Sequence, residues 1–391
     1  MKRIILTLLC LSLTSLANAK GNGNSDPGNN VWAQLEAMQA QIDALAAGSP
    51  PATASVSVDC DAGETITDAL TTPANELTIE FSGTCQEAVT ILRQRVILKG
   101  TAAATIDGSL VVRAADADLQ SFSVTNSPGP GLFVDRGSRA SIIDVHVSGS
   151  AADGFLIAAS NVLCADCSAT NNGWSGMSVV VGAQMAIAGT TIFSDNSAQG
   201  LSIGDASGVI TLDSPQSIGA VSPTSEFEFN NNGGFGVLTF ASASLRFSAA
   251  DQIDVHNNGQ GILVASGAST HLDGTINISG NNLGLGILGG TVFHVGDVTS
   301  NGNDIGVFLD DNATLRGGIS PIRSNNNSQW GFFVRSSYLG DANISATGNG
   351  FDEVFLLLGA RVNTPVANVS GQVNCDGTEI LAAPFNCGAN P

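Results

Sequence analysis

Apolar and polar positions alternate along this chain in short bursts, and the bursts return at a near-constant interval. Each opens on an Asn-rich turn and a glycine, followed by an apolar–x–apolar run. Examples are Asn172-Gly173-Trp174-Ser175-Gly176-Met177-Ser178-Val179, Asn258-Gly259-Gln260-Gly261-Ile262-Leu263-Val264 and Asn327-Ser328-Gln329-Trp330-Gly331-Phe332-Phe333-Val334. The anchor glycines read as Gly131, Gly154, Gly176, Gly200, Gly236, Gly261, Gly286, Gly306 and Gly331, with Glu353 in the tenth place. Their spacings are 23, 22, 24, 36, 25, 25, 20, 25 and 22 residues. A repeat of this length predicts a solenoid, in which each unit buries its apolar side only by stacking on its neighbours. The long interval leaves room for a loop around Ser214–Ser225.

Each repeat carries two further short runs, such as Ser141-Ile142-Ile143 and Ile276-Asn277-Ile278. Three strands in so few residues cannot pair as hairpins, but they can wind as parallel coils about 4.8 Å apart. Gly and Asn suit the corners because both tolerate left-handed backbone angles, and Asn at one corner of successive coils can stack as an amide ladder.

Strand alternation then sorts faces. The residue after each anchor is apolar in all ten coils: Leu132, Phe155, Met177, Leu201, Val237, Ile262, Ile287, Val307, Phe332 and Val354. This position points inward. The next position faces out, and from the fifth coil on it holds Leu238, Leu263, Leu288, Phe308, Phe333 and Phe355. An exposed apolar row of this length marks an interface or a covered surface. The covers that fit are the C-terminal segment 373–391, a partner subunit, or a ligand lying in a groove.

This arrangement resembles the right-handed parallel β-helix superfamily, the pectin-lyase-like fold, over residues 56–375. The resemblance rests on the Asn-Gly repeat and on an N-terminal phrase, Asp59-Cys60-Asp61-Ala62-Gly63-Glu64-Thr65-Ile66, Gly83-Thr84-Cys85 and Val96-Ile97-Leu98-Lys99-Gly100. It implies an all-β solenoid of ten or more coils, with 56–110 as the first coils. It does not imply one activity, since the fold hosts lyases, hydrolases, esterases, epimerases, tailspikes and adhesins.

Composition narrows the function. The chain has 391 residues, 14 Lys and Arg against 34 Asp and Glu, and a formal charge of −20, which excludes a basic nucleic-acid face and weighs against cleavage of polyanions. At the N-terminus Lys2 and Arg3 precede an apolar run, Ile4 to Leu16, and Ala17-Asn18-Ala19 offers a small-x-small cleavage site. Residues 1–19 therefore read as a signal peptide, too short to span a membrane. Residues 20–30 form a flexible leader. Val31, Leu35, Met38, Ile42 and Leu45 then set a heptad seam on a short amphipathic helix over 31–47, a coiled-coil segment that needs a partner. A linker follows over 48–55, and 376–391 read as a C-terminal cap. Removal of the leader takes Cys10 and leaves Cys60, Cys85, Cys164, Cys167, Cys375 and Cys387. Nearness in sequence favours pairing 60–85, 164–167 and 375–387, in keeping with a secreted, periplasmic or cell-surface protein.

The polar candidates are thin. His146, His256, His271 and His294 lie at different offsets from their anchors. Asp310 and Asp311 with Asn312 offer oxygen ligands for calcium, the alternative being an ion pair between Asp310 and Arg335 one coil later. Asp144-Val145-His146 and Asp254-Val255-His256 set an acid and a base on one strand face, where flanking residues do not touch tightly. The Asn-Thr-Asp, His-Gly and Arg-Ile-Lys motifs of polygalacturonase-like enzymes are missing. The reading is an exported interaction protein, adhesin-like or a scaffold and non-catalytic, acting as a dimer or trimer or on a glycan or surface partner. The alternative is a carbohydrate-active enzyme, a polysaccharide lyase or glycoside hydrolase.

Overall fold

The computed structural model describes residues 52–101, 103–212, 225–249, 251–318, 320–364, 367–381 and 387. The expected signal peptide, leader and heptad helix lie outside these residues, as does the expected loop apart from Ser225. The rest is a right-handed parallel β-helix of about 13 turns. Every strand pairs in parallel with its counterpart one turn on, and one wall is a sheet of 13 strands running from Val89–Ile91 to Val373–Cys375. The other two walls share strands near the N-terminal end. The ten-residue strands Asp116–Thr125 and Arg139–Ser148 each bend once, at Ser121 and Asp144, where φ is 56° and 55°.

The solenoid is described from Thr53–Asp59, which pairs with Glu76–Ser82, to Ile380–Leu381. Near the first turns stands the short helix Ile66–Ala69, capped by the Thr65 side chain. The three expected disulfides form: Cys60–Cys85, Cys164–Cys167 and Cys375–Cys387.

Inside, the inward row is buried from Leu132 through Phe155, Met177, Leu201, Val237 and Ile262 to Phe332 and Val354. Each such side chain contributes roughly 2 kcal/mol on removal from water. Phe193, Phe227, Phe229 and Phe247 pack ring against ring in the middle turns, with centroids 5.9 to 6.5 Å apart.

An amide ladder, buried from Asn172 to Asn327, runs down one corner through Asn172, Asn196, Asn232, Asn258, Asn281, Asn303, Asn327 and the half-buried Asn349. From Asn196 on, each Oδ1 accepts the backbone N–H of the asparagine one coil before, at 2.8 to 3.1 Å, and Asn172 Oδ1 accepts the Ser150 N–H. Each Nδ2 from Asn196 onward also donates to a backbone carbonyl of the preceding coil. The carboxylate of Glu353 ends the ladder, accepting from Asn349 Nδ2 and from the Gly348 N–H. Left-handed backbone falls on the residue just before the ladder position, as at Asn171, Asn231, Asn257 and Asn326.

The anchor glycines have a different reason. None of them is left-handed; a Cβ on Gly154 or Gly176 would stand 2.8 Å from the Nδ2 of Asn172 or Asn196. The ladder amide fills the place of the missing side chain there and at Gly200, Gly236, Gly284, Gly306 and Gly331, whereas Gly131 and Gly261 meet other atoms of the next coil.

Candidate functional site

The outer face of the 13-stranded sheet carries the most distinctive surface. Leu238, Phe308, Phe333 and Phe355 face out in one ladder row, as the alternation requires, while Leu263 holds its place in the row but is buried. A second row runs beside it through Phe235, Gln260, Leu283, Ile305 and Trp330. These residues immediately precede the anchor glycines. Each glycine lies within its strand, but it and the residue after it are both buried, as at Gly306-Val307 and Gly331-Phe332. The residue before it therefore does not follow simple alternation, and the sequence reading passed this row over. The residue before each anchor was the signal that would have found it.

The rows meet in an aromatic cluster at their C-terminal end. Phe308 and Phe333 lie 5.2 Å apart between ring centroids, and Phe333 and Phe355 also 5.2 Å. Trp330 sits edge-on to Phe333 at 5.2 Å and to Phe351 at 5.4 Å, and stacks on Phe355 at 5.9 Å. Phe351 is 63% exposed. Such offset and edge-to-face pairs hold rings in place while leaving their outer faces to solvent.

One member of the expected row is displaced. Leu263 pairs with Gly286, and Gly286 with Phe308, so Gly286 occupies the outward position and Gly284 is the anchor of that coil. Leu288 instead stands between Ala265 and Asp310, two residues along the strand, and Leu285, not Ile287, follows the anchor. Leu283 leans over the gap: a Cβ on Gly286 would lie 2.7 Å from its Cδ2. The row is therefore continued by a leucine from the neighbouring row. Of the expected C-terminal cover, Val373–Cys375 continue the sheet as its last strand instead of lying across it.

Further toward the N-terminus the same face becomes polar. Asp153, Ser175, Ser178 and Ser202 are buried there, and Asp153 accepts from the Ser178 hydroxyl at 2.9 Å and from the Ser175 N–H at 3.2 Å. Burial raises the Asp153 pKa above 3.8, against the pull of these donors. A cavity of about 420 Å³ opens elsewhere, lined by Glu76, Arg95, Asp116, Asp118 and Arg139 among others. Burial and then the charges of Asp116 and Glu76 raise the pKa of Asp118.

The remaining sequence candidates scatter. Asp310 takes a two-pronged bond from Arg335, which pulls its carboxyl below the usual range, so the ion pair is formed. Arg246 pairs with Asp273 and Arg323 with Asp297, while Arg316 lies over the Tyr338 ring. His271 stacks on Phe293, and His294 is buried. His146, contrary to expectation, does touch its neighbour: Nε2 lies 3.2 Å from Asp144 Oδ1 and Nδ1 lies 2.8 Å from Ser168 Oγ. Among the described residues, the one group of three or more potential metal ligands is Cys375, Glu379 and Cys387, and both cysteines are spent in a disulfide. No described helix is long and apolar enough to cross a membrane.

The fold and this surface define a right-handed parallel β-helix with an apolar, aromatic outer strip. The family model described as the right handed beta helix region matches residues 97–283. Among solved structures, the chain is similar to the A-module of the mannuronan C-5 epimerase AlgE6 of Azotobacter vinelandii, at 16% identity and a TM-score of 0.42, covering 89% of this chain and 94% of that one. No curated protein matches.

Proposed function

We propose that this chain is an exported β-helix interaction protein that associates with further copies of itself through the outer strip. The observation that carries the reading is the paired row from Phe235 to Trp330 and Leu238 to Phe355, which holds no ionisable side chain. A lyase or hydrolase cleft on this face requires carboxylates, histidine or a basic group, and the strip presents Leu, Ile, Phe and Trp with one amide, Gln260, and one glycine, Gly286. Aromatic side chains with charge kept to the rim are the composition of a protein interface core.

Area says what else is needed. Five strand spacings by four residues of strand give a strip of about 24 by 13 Å, or roughly 300 Å². A stable partner face buries about 800 Å². The heptad seam Val31–Leu45, too short to persist alone, supplies the remaining contact when two or three copies bundle their helices.

Sedimentation of the wild type, a Phe308→Ser/Phe333→Ser variant and a deletion of residues 31–47 tests this. Association is expected for the wild type and is weakened by each change. A wild-type monomer at micromolar concentration refutes self-association. Binding of neutral glycans by that monomer, lost in the double variant, would instead favour the carbohydrate reading.

A further inference from the structure

On the bent wall far from the strip residues in sequence, three polar side chains form one hydrogen-bonded line: Ser168 Oγ to His146 Nδ1 at 2.8 Å, and His146 Nε2 to Asp144 Oδ1 at 3.2 Å. We propose that this line is a nucleophile–base–acid site that cleaves small carboxylic esters, an activity independent of the docking strip.

The backbone builds the line. His146 and Ser168 are direct ladder partners on adjacent coils, so their side chains project side by side. Asp144 is left-handed at the strand bend, which brings its carboxylate within reach of the imidazole two residues on. Ser168 follows directly on the Cys164–Cys167 disulfide, and Asp166 between them accepts the Thr190 N–H at 2.9 Å. The nucleophile thus sits on a cross-linked corner. A groove of about 280 Å³ adjoins the base on the coil before it, lined by Gly100, Thr101, Ala104, Phe122, Asp144 and His146 among others, and Ser168 stands on the opposite side of His146 from this groove.

The same sequence pattern recurs without the geometry, which argues that the line is more than a ladder accident. Asp254-Val255-His256 is followed one coil on by Ser279, the ladder partner of His256. Asp254 is not left-handed there, and its carboxylate accepts from Asn277 Nδ2 at 2.9 Å.

The chemistry is that of an activated serine. The imidazole, holding its proton on Nε2 against Asp144, takes the Ser168 proton at Nδ1 as Oγ bonds to the ester carbonyl carbon. The C–O bond to the alcohol breaks, and His146 passes the proton to the departing alkoxide. Water then adds to the acyl-serine with His146 again accepting a proton, the acyl–Oγ bond breaks, and the acid leaves as Ser168 is reprotonated. Ser168 and His146 are the catalytic residues, and Asp144 is a positioning residue. The His146 and Asp144 side chains are 51% and 44% exposed, so water competes at the site and reactive probes are required.

The test is covalent labelling of the full chain with a fluorophosphonate, mapped by mass, together with hydrolysis of p-nitrophenyl acetate. One label at Ser168 is expected. Ser168→Ala abolishes it, and His146→Ala slows labelling by about a hundredfold or more. Asp144→Asn slows it less, and the conservative Asp144→Glu restores part of the lost rate. His256→Ala leaves labelling unchanged. An unlabelled Ser168, or labelling equally fast in His146→Ala, overturns the proposal.

Discussion

Truncation of Asn258 to alanine probes the amide ladder at its centre. In the folded chain Asn258 Oδ1 accepts from the backbone N–H and the Nδ2 of Asn232, both at 2.9 Å. Its Nδ2 donates to Phe229 O at 2.8 Å and to Asn281 Oδ1 at 3.2 Å. Alanine removes four hydrogen bonds at a buried corner and orphans the Asn232 N–H. At about 1 kcal/mol net per bond, the loss is about 4 kcal/mol. Asn277→Ala, which removes an exposed amide bonded to Asp254, is the control and should cost no more than about 0.5 kcal/mol. Urea titration followed by far-ultraviolet circular dichroism reads the global effect, and amide exchange at Asn232 reads the local one. A loss below about 1 kcal/mol with unchanged protection at Asn232 would show that the ladder is incidental to stability and that the aliphatic rows alone hold the coils.

Three further outcomes follow from the same geometry. Gly284→Ala forces a Cβ to within 2.8 Å of Asn303 Nδ2 and against backbone, whereas Gly286→Ala meets the movable Leu283 side chain, so only the first should lower the melting temperature; the reverse order refutes the register of that coil. Ile262→Asp places a carboxylate in the inward row and should cost several kcal/mol with cooperative loss of β signal, and an unchanged melting curve would reverse the inward–outward assignment. Burial lowers the His294 pKa below 6.5, outweighing its bond to the Gly296 carbonyl. Below that value the unfolded chain takes up a proton that the folded chain refuses, so stability falls as pH drops through the window beneath 6.5. His294→Gln should flatten this dependence in denaturation series between about pH 7 and about pH 5, and identical slopes for the two proteins would refute it.

The repeating coil, the inward row and the amide ladder were legible in the chain itself, which implied ten or more coils where the structure has about 13. Stacking places equivalent residues in equivalent surroundings, so the demand for an apolar side chain after the anchor, or an amide at the corner, is written out once per turn. The disulfide partners were legible for a related reason, since a narrow solenoid keeps near residues near. The segment Leu283-Gly284-Leu285-Gly286-Ile287-Leu288 shows where this ends. Two glycines two residues apart, each followed by an apolar residue, fit the repeat in either register, and only the neighbouring coils decide, because Gly284 alone faces Ser300 and Asn303. The second outer row with Trp330 was hidden because two successive buried positions, the glycine and the residue after it, break the alternation within the strand. The contact of Asp144 with His146 was hidden because it depends on one left-handed residue in the middle of a strand. Periodicity reports what every coil shares; what one coil does differently is decided by backbone angle and by the atoms of the coils stacked above and below it.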